Sequence, residues 1–144
     1  MSHSIGVSKA NARALIEQYF DSFNQGDFEK TASLFSQTGQ LMPPFEDEIT
    51  GPTEILSYLN KKAENMEAMP KQWSLYQEES DQWRVDVLGK VKAIVFQVNV
   101  NWQFTVTPSH EIGTAKIKLV ASPKELLSLR SAKESATESA VATT

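Results

Sequence analysis

Residues 96–107 read FQVNVNWQFTVT, and this stretch decides the fold. The apolar side chains all share one parity: Phe96, Val98, Val100, Trp102, Phe104 and Val106. The positions between them are Gln, Asn or Thr throughout. Because successive side chains of a strand point to opposite faces of its sheet, the alternation predicts a strand with one apolar face and one polar face.

Further strands are predicted on both sides of this stretch. Segments 73–79, 83–92, 94–107 and 112–121 are rich in β-branched and aromatic residues and are separated by short polar or Pro/Gly turns. In the last segment Ile117, Leu119 and Ala121 alternate with lysines. This spacing predicts an antiparallel meander.

Helices are predicted in the first half of the chain. One apolar face of a first helix carries Ala12, Leu15, Ile16, Tyr19, Phe20 and Phe23. Asn24-Gln25-Gly26 ends that helix, and Asp27 is a suitable N-cap for a second helix that carries Phe28, Leu34 and Phe35. The order of helices followed by strands predicts an α+β domain with the helices on one face of the sheet.

The segments that join and close this domain carry their own signals. Residues 39–42 are predicted to form a short strand leading into Pro43-Pro44-Phe45, and a third helix runs from Pro52 to about Met66, with Pro70 in the connection that follows. Residues 122–125 read SPKE, a capping box that predicts a short C-terminal helix. We expect a single domain over residues 8–133, with flexible tails at 1–7 and 134–144.

Composition excludes several classes of function. The 144 residues contain no cysteine, which rules out disulfides, thiolate catalysis and Cys-ligated metal sites. The formal charge is -4 and no basic run stands out, so nucleic acid is not an expected partner. No secretory signal is visible, and the strongly apolar run 93–96 is far shorter than the roughly 20 residues of a transmembrane helix. A cytoplasmic protein is therefore expected.

Several motifs resemble one protein family. They are Asp27-Phe28, Gly39, Pro43-Pro44-Phe45, Gly51, Gly89-Lys90-Val91, Trp102 and, most specifically, the seven residues ASPKELL at 121–127. The chain resembles the C-terminal domain of the cyanobacterial orange carotenoid protein, and specifically its free-standing homologues, in the nuclear transport factor 2-like superfamily. The hairpin between Gly89-Lys90-Val91 and Trp102 is shorter than in the photoactive members.

The resemblance implies a fold and a ligand. The fold is the nuclear transport factor 2-like cone, in which three N-terminal helices pack on a bent, mostly antiparallel sheet and a short C-terminal helix follows. The ligand is a keto-carotenoid of the echinenone or canthaxanthin type, held in an apolar tunnel. Tyr19 and Trp102 match the tyrosine and tryptophan that donate hydrogen bonds to its ring carbonyl.

The residues themselves leave two interpretations of this site open. Tyr19 and Trp102 offer two donors from an otherwise apolar wall, which suits a neutral carbonyl, but each is also typical of ordinary core packing. The candidate tunnel residues are Val98, Val100, Phe104 and Ile117, with Phe45 and Met66 at the edge. Core packing is the alternative for each of these as well.

The resemblance also implies a biological role. The protein is expected to carry its pigment or transfer it to helical carotenoid-binding proteins, in photoprotection or singlet-oxygen quenching, with transient visits to the thylakoid membrane surface. A pigment longer than the cone favours a homodimer that shares it. The C-terminal helix is either a gate at the tunnel mouth or a fixed cover of the sheet.

Two other classes of function remain as alternatives. The same fold hosts isomerases, dehydratases and epoxide hydrolases, which need a carboxylate facing the cavity. Asp86 has the wrong parity, Asp47 and Glu48 fall in a loop, and His110 falls in a turn, so the prediction is that the chain is not an enzyme. The third class is a protein-interaction module that docks through the polar face of residues 97–107.

Overall fold

The computed structural model describes residues 7–120. Its helices begin where the sequence supplies helix start signals. Within that range they are α1 (Lys9–Asn24), α2 (Phe28–Ser33) and α3 (Pro52–Lys62). The Ser8 hydroxyl caps α1 and the Asp27 carboxylate caps α2, each by accepting a hydrogen bond from a backbone amide of the first turn. Pro52 opens α3, where its missing N–H costs nothing.

The strands form one mixed sheet. They are β1 (Phe35–Met42), β2 (Ile49–Thr50), β3 (Glu67–Gln77), β4 (Trp83–Lys92), β5 (Gln97–Val106) and β6 (Ile112–Val120). The spatial order is β2-β1-β6-β5-β4-β3. All neighbours are antiparallel except β1 and β6, which pair in parallel. The predicted α+β fold with a mostly antiparallel sheet is confirmed.

Side-chain hydrogen bonds attach the helices to one another and to the sheet. The hydroxyls of Ser22 in α1 and Thr31 in α2 are 2.6 Å apart and buried. Asn24, the last residue of α1, donates to the Ala68 carbonyl at 2.9 Å and accepts from the Ala68 amide at 2.7 Å. This pair of bonds fixes the end of α1 against β3, because a partly buried amide side chain needs its polar atoms satisfied.

The core lies between α1 and the apolar face of β5. The alternation predicted for β5 is present, since Val100, Trp102, Phe104 and Val106 are buried while the intervening residues are more exposed. The apolar face of α1 that was predicted from its spacing is buried opposite them. A second element, α3, adds Ile55 and Leu59 to the same core.

Several predicted boundaries differ from the observed ones. Phe35 belongs to β1 rather than to the second helix, because its backbone pairs with Ile112 of β6. Helix α3 ends at Lys62, before the predicted Met66. Pro70 lies inside β3, which tolerates a residue without an N–H because it is the edge strand. Residues 94–96 form the turn before β5 rather than part of it.

Some predictions fall outside the described residues. They are the C-terminal helix from Ser122, the tail at 134–144 and all but one residue of the tail at 1–7. The domain limits of 8–133 therefore stay a prediction.

A glycine in β4 permits the close approach of the β3 backbone beside Pro70. The pairing of β3 with β4 shifts register between Pro70 and Gln72, opposite Gly89. A Cβ atom at Gly89 would press on the backbone carbonyl oxygen of Met69. Backbone cannot move aside as a side chain can, so this position has room for glycine alone.

Replacing Gly89 by alanine should lower the free energy of unfolding by about 1–3 kcal/mol, because of this overpacking. Urea denaturation would measure the change. The matched control is Gly113→Ala in β6, whose Cβ would first meet the Thr105 and Thr107 side chains. Those side chains can shift, so the control should lose less. An equal loss of stability in both variants would contradict the conclusion that the Met69 backbone leaves no room for a side chain at position 89.

Candidate functional site

One apolar cavity of about 320 Å³ lies between the sheet and the helices. Most of its sheet wall consists of side chains on one face of β4, β5 and β6: Val91, Val98, Val100, Trp102, Ile117 and Leu119. Register explains the set, because Val91 pairs with Val98, Val100 with Leu119 and Trp102 with Ile117. Cross-strand partners share a face, so the pairing brings these side chains together.

The opposite wall of the cavity comes from the helices and the turn after α3. It is lined by Tyr19, Phe23, Tyr58, Leu59, Lys62, Ala63 and Met66. Tyr58 and Lys62 are four residues apart in α3, which is close to one helical turn, so they share a face of that helix, and Met66 follows in the turn after α3. One face of α3, together with the turn that follows it, therefore lines the cavity.

Tyr19 and Trp102 carry the hydrogen-bond donors at the buried end of the cavity. Each is only 2% exposed. Within residues 7–120 no hydrogen bond joins the Tyr19 hydroxyl or Trp102 Nε1 to another residue, whereas Trp83 Nε1 donates to the Val7 carbonyl at 2.7 Å. Both Tyr19 and Trp102 line the cavity. Burial raises the pKa of the Tyr19 phenol, so its hydroxyl keeps its proton.

Aromatic packing holds these two rings in place. The Phe20 ring makes edge-to-face contacts with Trp102 at 4.8 Å and with Tyr19 at 5.3 Å, measured between ring centroids. Phe104 contacts Tyr19 in the same way at 5.0 Å. Such geometry is favoured by the ring quadrupoles and leaves little freedom at either side chain.

The structure brings all six predicted site residues to this cavity. Tyr19, Trp102 and Val100 are buried, Ile117 and Met66 are half-buried, and Phe45 is 87% exposed at the lip. Val98 also lines the cavity. Of the two interpretations left open for Phe104, core packing is the one observed, because this side chain is fully buried beside Tyr19 and does not line the cavity.

Three polar groups of the lip were missed by sequence reasoning. Tyr58 donates a hydrogen bond to Glu46 at 3.0 Å, and Lys62 lies on the same side of the mouth. Burial and this carboxylate raise the pKa of Tyr58 to about 12. The four-residue spacing of Tyr58 and Lys62 on α3, with Lys62 four residues before Met66, is the signal that could have found these two residues. Nothing local in the sequence places Glu46 beside Tyr58.

Groups suited to acid–base chemistry lie elsewhere. Asp86 pairs with Arg84 at 3.0 Å and accepts a hydrogen bond from Tyr76, on the face of the sheet turned away from the cavity. The His110 ring contacts the Asn11 carbonyl at a turn. Among residues 7–120 no group of His, Asp or Glu could hold a metal ion. No helix in that range is long and apolar enough to cross a membrane.

Known proteins match both the sequence and the fold of this chain. The model of the nuclear transport factor 2 (NTF2) domain family matches residues 11–115. The orange carotenoid-binding protein of Limnospira maxima is 34% identical over 116 residues, which cover 78% of this chain and 37% of that protein. The chain thus spans little more than a third of the length of this relative.

Solved structures agree with the sequence match. The orange carotenoid protein of Anabaena (Nostoc) sp. PCC 7120, solved with canthaxanthin, superposes with a TM-score of 0.73 at 29% identity, over 85% of this chain and 40% of that one. The epoxide hydrolase/cyclase-like enzyme SalBIII gives 0.65 at 18% identity, over 78% of this chain and 93% of that one, a likeness of fold alone.

The family match and the cone fold lead to one conclusion. The chain belongs to the NTF2 domain family, in which it is a homologue of the C-terminal domain of the orange carotenoid proteins.

Proposed function

We propose that this protein binds a keto-carotenoid of the echinenone or canthaxanthin type. The observation that carries the proposal is the pair of buried donors, Tyr19 and Trp102, which line an otherwise apolar cavity and have no hydrogen-bond partner among the described residues 7–120. A carbonyl oxygen has two lone pairs and can accept from both donors at once. The kinship with orange carotenoid-binding proteins supports the same ligand class.

The binding energy has two unequal parts. Each hydrogen bond between neutral groups contributes only ~0.5–1.5 kcal/mol net. The larger part comes from removing the polyene from water, at ~25 cal/mol per Å² of apolar surface. The Tyr19–Trp102 pair therefore sets the position and colour of the pigment, while Val98, Val100 and Ile117 supply contact surface.

A binding role fits the cavity better than catalysis does. An isomerase or hydrolase of this fold needs a carboxylate that faces its substrate. Of the described residues that line the cavity, Glu46 is the one carboxylate, and it lies at the lip in a hydrogen bond with Tyr58. We therefore propose that the protein is not an enzyme.

The open mouth suggests how the rest of the pigment is covered. The exposed side chains Phe45, Phe96 and Leu119 surround it. A keto-carotenoid held by its ring would protrude there, and exposing such a rod to water is costly. A second copy of the chain is the proposed cover, and a helical carotenoid-binding protein is the proposed donor or acceptor in photoprotection. Transfer in the cytoplasm, with transient visits to the thylakoid surface, accords with this role.

Replacing Tyr19 or Trp102 by phenylalanine should move the absorption of the bound pigment to shorter wavelength. Each lost hydrogen bond should also raise the dissociation constant about two- to tenfold. Co-expression with a keto-carotenoid pathway, followed by absorption spectra and titration, measures both effects.

The matched controls are Tyr76→Phe and Trp83→Phe. These side chains bond to Asp86 and to the Val7 carbonyl, respectively, and neither lines the cavity. Both controls should keep the wild-type spectrum. An unchanged spectrum and affinity in Tyr19→Phe and Trp102→Phe would remove the basis of the proposed site.

Raising the pH from about 7 to about 10 should leave the absorption of the bound pigment unchanged. Burial raises the Tyr19 pKa above its ordinary value of 10.0, so the donor keeps its proton. The native state binds this proton more tightly than the unfolded chain does. The contribution of Tyr19 to stability is therefore complete below pH 10.0 and falls as the pH rises further.

Absorption and urea midpoints, both followed against pH, test this expectation. Tyr19→Phe should reduce the loss of stability at high pH. A spectral transition centred well below pH 10.0 would contradict the assignment of Tyr19 as the neutral donor.

Loading with pigment should convert the protein to a homodimer. Because the chain has no cysteine, that dimer should persist unchanged under reducing conditions. Light scattering coupled to gel filtration, before and after loading, measures the mass. A monomeric pigment-bound form would exclude the shared pigment and leave the single-chain site intact.

A further inference from the structure

The cavity is too small to enclose the whole of the proposed pigment. Its volume is about 320 Å³, which is at the lower end of the range of pockets that enclose a small-molecule ligand. A keto-carotenoid has a ring at each end of a long polyene, and in the proposed function the far end leaves through the mouth. One chain by itself therefore has room for a shorter molecule of the same kind.

The buried end of the cavity requires a carbonyl group on such a molecule. Tyr19 and Trp102 line this end, and neither side chain has a hydrogen-bond partner among residues 7–120. Trp102 Nε1 can only donate, and burial raises the pKa of Tyr19, so its hydroxyl keeps its proton. A charged group would lose its hydration here without gaining a partner of opposite sign. A neutral carbonyl oxygen fits both donors.

The lip of the cavity sets a second requirement, which the proposed function does not use. The Tyr58 hydroxyl donates to the Glu46 carboxylate at 3.0 Å and holds it at the lip. Lys62 lines the same cavity and makes no ion pair among residues 7–120. The lip thus presents one carboxylate acceptor and one ammonium donor. A hydroxyl group can donate to the first and accept from the second, whereas a charged group would meet one like charge.

We infer that one chain encloses a short isoprenoid molecule with a ketone on its ring and a hydroxyl group at its far end. The ketone accepts from Tyr19 and Trp102. The hydroxyl donates to Glu46, and Lys62 is available to donate to the hydroxyl oxygen. The inference rests on the proposed function for the site of the ring ketone, and it adds the length of the ligand and its second polar group.

Enclosure by one chain is what separates this ligand from the long pigment. The apolar stretch between its two polar groups would contact Val98, Val100 and Ile117 on the sheet and Met66 on the opposite wall. With a polar group at the lip, little apolar surface would protrude into water, so a second copy is not needed as a cover. One ligand per chain is therefore expected, with no change of oligomeric state.

Titration of the pigment-free full chain with oxoretinol, the retinol whose ring carries a conjugated ketone, tests the inference. The absorption of the ligand reports binding, and light scattering coupled to gel filtration reports the mass. Oxoretinol should bind with one molecule per chain, and the mass of the protein should not rise on loading. Retinol, which lacks the ketone, should bind about two- to tenfold more weakly. Tyr19→Phe and Trp102→Phe should each reduce this preference for oxoretinol.

The methyl ether of oxoretinol tests the lip, because an ether oxygen accepts a hydrogen bond but cannot donate one. The wild type should prefer the alcohol over the ether by about two- to fivefold, since the Glu46 side chain is exposed and its bonds compete with water. Glu46→Ala should abolish that preference. The matched control is Glu48→Ala, which removes a nearby carboxylate that does not line the cavity and should keep the preference.

Three results would overturn the inference. They are the absence of saturable oxoretinol binding by the wild type, a mass that doubles on loading, and a Glu46→Ala variant that still prefers the alcohol over the ether. The proposed function fails in a different way. A chain that loads canthaxanthin from detergent but does not bind oxoretinol keeps the proposed pigment and loses the short ligand. A chain that binds oxoretinol but never loads canthaxanthin keeps the short ligand and loses the proposed pigment.

Discussion

The edge-to-face packing of Phe20 against Tyr19 and Trp102 is the contact on which the site depends. It joins α1 to the middle of β5, the longest alternating stretch of the chain. Because one buried ring touches both donors, the position of the helix on the sheet also sets the positions of the two polar atoms. Any shift of α1 along β5 would separate them, and the Asn24–Ala68 bonds oppose such a shift.

The two ends of the cone differ in what fills them. At the closed end, Phe104 and Val106 are completely buried, and aromatic packing leaves no room for a ligand. At the open end, the side chains Val98 and Val100 are smaller, and the space beside them is the cavity. Phe45, Phe96 and Leu119 are exposed around it. A protein of this size does not usually display so much apolar surface without a partner. The open end is therefore where the proposed ligand would leave the cavity.

Charge is arranged around the cavity rather than inside it. The deep wall offers two neutral donors, and Glu46 and Lys62 occupy the lip. A neutral polar ligand group suits this interior, because a buried charge would need a partner of opposite sign. The ion pair of Arg84 with Asp86 lies on the other face of the sheet. This separation supports the proposed binding role.

The sequence by itself determined the helix caps, the apolar face of α1 and the alternation of β5, since each depends on neighbours within a few residues. It also carried the motifs that place the chain in its family. Only the tertiary structure decided that Phe104 fills the core instead of lining the cavity, that Tyr58 and Glu46 meet at the lip, and that residues 94–96 turn outward. These outcomes depend on strand register and on contacts between distant segments, and local pattern contains no record of either.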